Sequence, residues 1–315
     1  MARVIRIDRE LPRTWKDALA EFLEFKQAQG LSPVTANDYT KHVTQFFTRY
    51  PDAHAPGKLR DCILEYMSQP VAPATFNLRR AYLKSFFNWC VQEGILAQNP
   101  LTGIPKRLDE GRARSIAEDT LRKLLSLPNR GSFAGLRDYA LMILSLDTGI
   151  RPGEALGLLP ADIDLTNCTV TVRRHIAKTG RTRVLPMSRE TAKALKMLLG
   201  ARHPAWPKSA PVFCTQDGTP LRLHSWEDRL QEYSEALNTR ITPYDLRHTF
   251  ALLFLRQGAN AFSLQRMLGH TSMEMTRRYV NLTGEDMQSQ HALASPVNRL
   301  IPSRKRVGSL KPRTE

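Results

Sequence analysis

The spacing of apolar residues in the first third of the chain is the feature that most restricts its fold. Trp15, Leu19 and Phe22 occur at positions i, i+4 and i+7, and residues 39–50 repeat this stripe. Such spacing places apolar side chains on one face of an α-helix, and that face leaves water only by packing against another element. Residues 14–99 are therefore predicted to form a domain made of helices alone.

Residues typical of helix ends divide this domain into four helices. Ser32 followed by Pro33 marks the start of the second helix, because serine caps free N–H groups and proline fits the first helical turn. The third helix is predicted at residues 59–67 and the fourth at about 73–93.

The fourth helix has an apolar face and, on its other side, the basic residues Arg79, Arg80 and Lys84. A charged helix face is most often simply solvated. However, the chain has 46 Lys and Arg against 30 Asp and Glu, a net charge of +16. Such an excess is typical of proteins that bind nucleic acids. We therefore predict that these three side chains contact DNA, with a solvated face as the alternative.

The four cysteines lie far apart and include no C-x-x-C pair, which argues against a zinc site or a disulfide framework. Charges interrupt the N-terminal segment where a signal peptide needs an apolar stretch, and no run of about 18 apolar residues occurs. The sequence thus predicts a protein of the reducing cytoplasm that is neither exported nor membrane-spanning and binds no metal.

A change in composition between Asn99 and Ser115 separates two parts of the chain. Prolines, glycines and alternating charges replace the apolar stripes there. Beyond it, helical patterns are mixed with two short β-branched runs, CTVTVRR and RTRVLPM, which are joined at KTG. The predicted fold class is mainly α-helical with a small antiparallel β-sheet. The predicted parts are an N-terminal extension at 1–13, a helical domain at 14–99, a linker at 100–115, a mixed α+β domain at 116–290 and a basic tail at 291–315.

The helical patterns of the second domain are short and regularly punctuated. Each is bounded by a capping residue, a glycine or a proline, as expected for helices of ordinary length. Helices are predicted near residues 118–127, 136–147, 189–200, 224–237, 243–256, 262–268 and 273–280.

The stretch TGIRPGEALGL holds an arginine at a junction between two helices. Gly149 ends the first helix and Pro152 begins the next, so Arg151 is held in a fixed place between them. A fixed guanidinium offers two parallel N–H donors to a phosphate. Glu154 is placed to hold that guanidinium from behind. The alternative is an Arg–Glu pair with a structural role only.

A second candidate anion site begins at Thr242, which is followed by Pro243 at a helix start. Tyr244 and Arg247 are spaced i, i+3 and share one face near that N-terminus, where partial positive charge favours anions. His248 points to another side of the helix and is predicted to pack or to form a hydrogen bond.

The segment LGHTSMEMTRRY places His270 after a helix-ending glycine and Tyr279 two turns into the following helix. A helical tyrosine is usually a core residue. Its phenol attacks poorly unless a base removes its proton or cations stabilise its anion. Lys178, at the tip of the predicted hairpin, is either solvated or placed to give a proton to a leaving oxygen.

Taken together, these motifs resemble the tyrosine recombinase (phage integrase) family over about residues 14–295. The blocks TGIRPGEALGL and YDLRHTFA match, as does LGH followed nine residues later by tyrosine. The resemblance implies a helical core-binding (SAM-like) domain ahead of a catalytic domain, together forming a C-shaped clamp around duplex DNA. The implied catalytic residues are Arg151, Lys178, Tyr244, Arg247, His270 and Tyr279, with Glu154 in support.

The resemblance also implies the chemistry. Tyr279 would attack a phosphodiester to give a 3′-phosphotyrosine and a free 5′-hydroxyl, while Arg151 and Arg247 stabilise the developing charge. In the family pattern Lys178 protonates the leaving oxygen, and His270 assists the proton transfer of the tyrosine or binds the phosphate. Rejoining would need no ATP, because the covalent link retains the bond energy, and no metal cofactor, because cationic side chains stabilise the charge.

One position departs from the family, which usually has histidine where this chain has Tyr244. A phenol donates a hydrogen bond to phosphate but does not exchange a proton near neutral pH. Tyr244 is therefore assigned to phosphate binding. The presence of Tyr244 supports a second hypothesis, that the chain is an inactive family member that binds DNA and regulates or blocks a site without cleaving it. A third hypothesis, which the sequence favours less, is a type IB topoisomerase.

The expected partners are a double-stranded DNA site and further copies of the chain, from dimer to tetramer. The sequence leaves open whether the enzyme serves as integrase, transposon recombinase or resolvase. An apolar group in the tail either docks on its own chain or, as is common in the family, on a neighbouring protomer. That group consists of Leu293, Val297, Leu300 and Ile301.

Overall fold

The structure is a computed structural model that describes residues 14–55, 57–109, 115–280, 291–292 and 295–300. The chain divides into two compact units, Met1–Gly111 and Arg112–Glu315. No helix in the described ranges is long and apolar enough to cross a membrane. The predicted N-terminal extension lies outside the described residues, as does most of the basic tail.

The first unit consists of the predicted helices. Ser32 caps the second of them by accepting a hydrogen bond from the Thr35 N–H, and Pro33 occupies the first helical position. A single 3₁₀ turn, Pro51–His54, follows that helix. The α-helices are α1 (Trp15–Ala28), α2 (Pro33–Arg49), α3 (Leu59–Ser68) and α4 (Pro73–Gln92).

Aromatic rings fill the centre of this unit. Phe22 of α1 meets Phe86 of α4 edge to face, with ring centroids 5.5 Å apart. Phe46 of α2 makes a similar contact with Tyr66 of α3 at 5.5 Å. Each fully buried ring stabilises the fold by about 1.5–3 kcal/mol relative to exposure, so these pairs hold the four helices together.

The first residues of the predicted linker pack against the helical unit. Leu101 is 1% exposed and belongs to its apolar core. The Arg107 guanidinium lies 3.9 Å from the centroid of the Phe76 ring, and the Arg107 N–H donates to Asn77 at 2.9 Å. Residues 101–107 are thus anchored to the first unit, while residues 110–114 lie outside the described part of the chain.

The second unit contains the predicted mixture of helices and strands. Its helices match the predicted positions, with the ends of some shifted by a few residues. The second helix of this unit begins at Phe133, because the Ser132 side chain caps it by accepting a hydrogen bond from the Gly135 N–H. The helices are α5 (Glu118–Ser126), α6 (Phe133–Thr148), α7 (Pro152–Leu156), α8 (Arg189–Gly200), α9 (Leu223–Glu235), α10 (Pro243–Arg256), α11 (Ala261–Leu268) and α12 (Met273–Val280).

A three-stranded antiparallel sheet confirms the β prediction. Its strands follow the order β1 (Ile163–Asp164), β2 (Thr169–Val172) and β3 (Arg183–Pro186). Val170 pairs with Leu185, and both are buried, whereas the next residue on β3, Val184, is 59% exposed. Alternate residues of β3 therefore face the protein interior, which places Arg183 on the inner side together with Leu185.

The long helix α6 forms the centre of the second unit, where it packs against α8 and α10. A smaller apolar cluster joins α10, α11 and α12, and it includes Tyr279. The junction after α6 ends in Gly149, whose φ of 62° lies in the left-handed region. A side chain built there would lie 2.3 Å from a ring carbon of Phe250.

Gly149→Ala is expected to destabilise the second unit. The left-handed backbone costs a non-glycine residue about 1–2 kcal/mol, and the contact with Phe250 adds overpacking of about 1–3 kcal/mol. Urea-induced unfolding of the full chain measures the change in free energy. Gly200→Ala is the control, because its added carbon meets nothing within 4 Å. Equal stability of the two variants would contradict this account of the junction.

Candidate active site

Arg151 lies at the predicted junction between α6 and α7, and its side chain is fixed at both ends of its guanidinium. Nη1 donates to Glu154 Oε1 at 3.1 Å, and Nη2 donates to the Gly269 carbonyl at 3.1 Å. The residue is 8% exposed. The expected pairing of Arg151 with Glu154 is therefore present, and α7 and the end of α11 together position one guanidinium.

Glu154 is the carboxylate on which several parts of the site converge. It forms an ion pair with Arg183 of β3 as well as with Arg151, and it accepts the backbone N–H of Lys178 at 3.2 Å. Burial alone would raise the pKa of this carboxyl group. The hydrogen bond and charge of Arg183, with the charge of Arg151, outweigh burial and lower the Glu154 pKa below its ordinary value.

Arg247 extends from α10 to the same place and is 4% exposed. Its Nη1 donates to the Gly149 carbonyl at 2.6 Å, and its Nη2 donates to the Leu268 carbonyl at 2.8 Å. Nη2 also lies 3.2 Å from Nε2 of His270. These acceptors are all neutral, and burial together with the charge of Arg151 lowers the Arg247 pKa below its ordinary value.

The hydrogen bonds of His270 determine which of its nitrogens carries the proton. Because a guanidinium is only a donor, Nε2 accepts from Arg247. Nδ1 then carries the proton and donates to Thr276 Oγ1 at 2.9 Å. Burial, helped by the charges of Arg247 and Arg151, lowers the pKa of His270 to about 4. The ring is therefore neutral at physiological pH.

Tyr279 is buried, at 2% exposure, yet it lies within the site. Its hydroxyl is 2.6 Å from Nδ1 of His248, and its ring is nearly parallel to that of His270 with centroids 6.5 Å apart. Burial raises the pKa of the phenol, and Arg247, Arg278 and Arg151 oppose that shift only in part. The phenol is thus held protonated next to the arginines.

The charges within this cluster do not balance. Among the described residues at this point, Arg151, Arg183 and Arg247 contribute three positive charges. Glu154 is the one carboxylate, and it pairs with Arg151 and Arg183 but not with Arg247. A buried charge without a counter-ion is costly, and a bound anion removes that cost. The arrangement therefore favours a phosphate oxygen beside the two guanidiniums of Arg151 and Arg247.

A groove of about 830 Å³ lies next to this cluster and is lined by residues of β3, α11 and the α11–α12 connection. Arg181, Arg183, Arg266 and His270 contribute to its walls. A groove of similar size beside α9 is lined by Glu227, Asp228 and Glu235 together with Arg240 and His224, and its acidic residues make it less suited to phosphate. Charge thus identifies the first groove as the one suited to a nucleic-acid backbone.

Two further predicted site residues lie at the edge of the cluster. Lys178 is exposed in the β2–β3 connection, which Glu154 holds through the lysine backbone. Tyr244 is 43% exposed in the first turn of α10, one turn before Arg247. Within the cluster, Arg151 contacts Glu154, and Arg247 contacts His270. The His270 ring lies alongside the Tyr279 ring. Lys178 and Tyr244 remain accessible to solvent.

The three basic residues predicted to contact DNA in the first unit also have contacts within that unit. The Arg79 guanidinium lies 4.6 Å from the centroid of the Tyr66 ring and donates to Gln69. Arg80 donates to the Ile104 carbonyl at 2.7 Å. Lys84 is partly exposed and lines a small groove with Lys26. Two of these side chains thus hold neighbouring segments in place, and their contact with DNA remains a prediction.

Two residues of the site were not assigned to it from the sequence. Arg183 was overlooked, although the alternation along RTRVLPM puts it on the same side as the buried Leu185. His248 was expected to pack or to form a hydrogen bond, and the structure shows that its partner is Tyr279. Its position on α10 indicated a buried side but not which residue of another helix would lie against it.

Comparison with known proteins agrees with this geometry. Residues 114–285 match the phage integrase family. A tyrosine recombinase XerC of Roseiflexus castenholzii is 30% identical over 74% of this chain and 76% of its own length. One from Haemophilus influenzae is 27% identical over 84% of this chain and 92% of its own length. The chain belongs to the phage integrase family. It is a tyrosine recombinase, an enzyme of site-specific DNA recombination.

Solved structures of other integrases share the fold of this family member. The integrase of transposon Tn1549, in complex with transposon right end DNA, superposes with a TM-score of 0.71 at 20% identity, covering 88% of this chain and 99% of that one. A lambda integrase dimer bound to a COC' core site gives 0.67 at 19% identity, covering 84% and 77%. The mainly helical fold with a small sheet is thereby confirmed.

Glu154→Gln is expected to reduce stability by about 3–5 kcal/mol at neutral pH, because the variant leaves two buried guanidiniums without their carboxylate. The lowered pKa of Glu154 stabilises the fold above the unfolded-state value near 4.5, and this contribution is lost as pH falls through the folded-state pKa. Urea unfolding between pH 3 and 7 should therefore show a steeper acid loss for the wild type than for the variant.

Glu227→Gln is the matched control, since Glu227 is exposed on α9. It should remain within about 0.5 kcal/mol of the wild type, as ordinary surface substitutions do. If Glu154→Gln were equally mild, Glu154 would not be the residue that holds the arginines.

Proposed function

We propose that Tyr279 is the nucleophile that cleaves one strand of a double-stranded DNA recombination site. The observation that carries this proposal is the placement of a protonated, buried phenol beside a cluster with more guanidinium groups than carboxylates. A phosphodiester bound by Arg151 and Arg247 supplies the missing negative charge. The same two side chains then stabilise the additional charge that develops during attack.

The proposed step conserves atoms and charge. The Tyr279 oxygen gives its proton to a neighbouring base as it bonds to phosphorus, the bond from phosphorus to the 5′-oxygen breaks, and Lys178 provides the proton that this oxygen receives. The products are a 3′-phosphotyrosine and a 5′-hydroxyl. A second 5′-hydroxyl reverses the step and joins a new strand, so no ATP is consumed. The exposed position of Lys178 beside the held hairpin supports its reach to a bound strand.

Tyr244 is proposed to bind the phosphate without exchanging protons. It lies at the N-terminal turn of α10, where the helix dipole favours an anion, and its 43% exposure leaves the hydroxyl accessible. A phenol at this position donates one hydrogen bond where the family's histidine would also transfer a proton. Proton transfer therefore falls to other residues of the site.

The partners follow from the relatives and the surface. Lambda integrase has been solved as a dimer on a core site and as a tetramer on a Holliday junction. We extend both to this chain and propose that it assembles as an oligomer on duplex DNA. Val297 and Leu300 are 53% and 75% exposed. Both side chains are thus largely exposed in the part of the chain that the structure describes, which supports exchange of the tail between protomers; Leu293 and Ile301 lie outside the described side chains.

A cytoplasmic location is part of the same proposal. The four cysteines are free thiols, two of them buried, as expected for a protein that functions in a reducing compartment.

The regulatory alternative, a DNA-binding protein without cleavage, rests on Tyr244 alone. The basic active-site cluster is built around Tyr279 in a way that mere DNA binding would not require.

Tyr279→Phe should abolish covalent capture of DNA, whereas Tyr244→Phe should only slow it. The first change removes the attacking oxygen, and the second removes one hydrogen bond to phosphate, which costs about 1.5–3 kcal/mol when the acceptor is charged. Incubation with nicked suicide duplexes taken from the DNA that flanks the gene, followed by denaturing gels, measures the adduct. A normal adduct from Tyr279→Phe would refute the assignment, and no adduct from the wild type on any such site would favour the regulatory alternative.

DNA binding should weaken steeply with salt. If the protein neutralises between about 6 and 10 phosphates, its affinity falls by about 10³–10⁵ between 50 and 200 mM salt. Fluorescence anisotropy with a labelled duplex gives the slope, and Tyr279→Phe permits the measurement without cleavage. A nearly flat salt dependence would contradict a binding surface built from Lys and Arg.

A further inference from the structure

The hydrogen-bond partner of the nucleophile is a histidine that the catalytic signature does not include. The hydroxyl of Tyr279 lies 2.6 Å from Nδ1 of His248, which directly follows Arg247 on α10. The two rings are tilted, with centroids 5.7 Å apart. This distance is short for a hydrogen bond of a phenol, and it joins the reacting oxygen to a group able to accept a proton.

The other histidine near the tyrosine is already engaged on both nitrogens. Nε2 of His270 accepts from Arg247, and Nδ1 donates to Thr276. Its acceptor site is therefore occupied, and a second proton on the ring would meet the Arg247 guanidinium directly. In this arrangement His270 orients Arg247 and lies alongside the Tyr279 ring. It is poorly placed to receive the phenol proton.

We propose that His248 accepts the proton of Tyr279 during cleavage and returns it during rejoining. This inference rests on the proposed role of Tyr279 as nucleophile. As the tyrosine oxygen bonds to phosphorus, its proton moves to Nδ1 of His248, which becomes an imidazolium. The leaving 5′-oxygen receives a different proton, from Lys178. The reverse step moves both protons back, so the pair of groups balances the reaction in each direction.

The surroundings of His248 suit such a transient charge. Asp245 lies one turn earlier on α10 and attracts the imidazolium, whereas Arg247 on α10 and Arg278 on α12 disfavour it. Among the described residues, Tyr279 and His270 are two further titratable groups that interact with His248. Burial lowers the pKa of His248, so its ring is neutral and ready to accept a proton at physiological pH. A phosphate bound beside Arg247 would offset part of this opposing positive charge.

The test compares His248→Gln with the wild type in the rate of covalent adduct formation between pH 6 and 10. Glutamine keeps a polar side chain near the phenol but takes up no proton. We expect a loss of about 10²–10⁴ in rate at pH 7, the range of general-base catalysis. The loss should shrink about tenfold for each unit of pH as hydroxide takes over. A rate within twofold of the wild type at pH 7, or a deficit that does not vary with pH, would overturn the proposal.

A suicide duplex with sulfur in place of the bridging 5′-oxygen separates the two proton transfers. Sulfur leaves without a proton, so this substrate should restore Lys178→Ala to within about tenfold of the wild type. It should leave the His248→Gln deficit in place at neutral pH. Restoration of both variants would show that His248 acts on the leaving group or on folding, and would overturn the inference.

Two measurements keep these outcomes interpretable. Thermal unfolding and duplex binding of His248→Gln establish that the variant folds, and His248→Asn replaces it if it does not. Should neither fold, the wild-type pH profile decides: a plateau above neutral pH supports the inference, and a rate that climbs steadily to pH 10 overturns it. The proposed function itself fails if the wild type forms no covalent adduct, or if its adduct persists in Tyr279→Phe. That outcome is independent of the result for His248→Gln.

Discussion

The shared carboxylate of Glu154 is the contact on which the rest of the site depends. It pairs with Arg151 from the α6–α7 junction and Arg183 from β3, and it accepts the backbone N–H of Lys178. One buried anion thus fixes a helix junction, a strand and a hairpin in a single arrangement. Because Glu154 neutralises only part of the positive charge around it, the cluster keeps an excess of positive charge that favours a bound anion.

Backbone carbonyls at the ends of two helices anchor the arginines. Arg247 donates to the Gly149 carbonyl after α6 and to the Leu268 carbonyl of α11, and Arg151 donates to the Gly269 carbonyl. Gly149 and Gly269 both adopt the left-handed backbone conformation, which ends each helix and turns its last carbonyls towards the site. These carbonyls carry partial negative charge, so they stabilise the guanidiniums without neutralising them. The full positive charge remains for a ligand.

Much of this arrangement follows from local sequence, and the remainder depends on long-range packing. The stripe of apolar residues predicts the helices of the first unit, and Thr242–Pro243 predicts the start of α10 at the residue where it begins. No local pattern predicts the contact of His248 with Tyr279, because 31 residues separate them and the contact depends on how α10 and α12 pack. Arg183 is an intermediate case, since strand alternation predicts which side of the sheet it is on but not that Glu154 is its partner.

The burial of Tyr279 reconciles two interpretations that the sequence sets against each other. A tyrosine at 2% exposure is a core residue by packing, and yet its hydroxyl lies within a cluster of cations. The single negative charge of a bound phosphodiester would offset part of their positive charge and weaken their stabilisation of a phenolate, so in the proposed attack the phenol still needs a neighbouring base to take its proton. His248, a neutral histidine in hydrogen-bond contact with the Tyr279 hydroxyl, would meet that need in the proposed step.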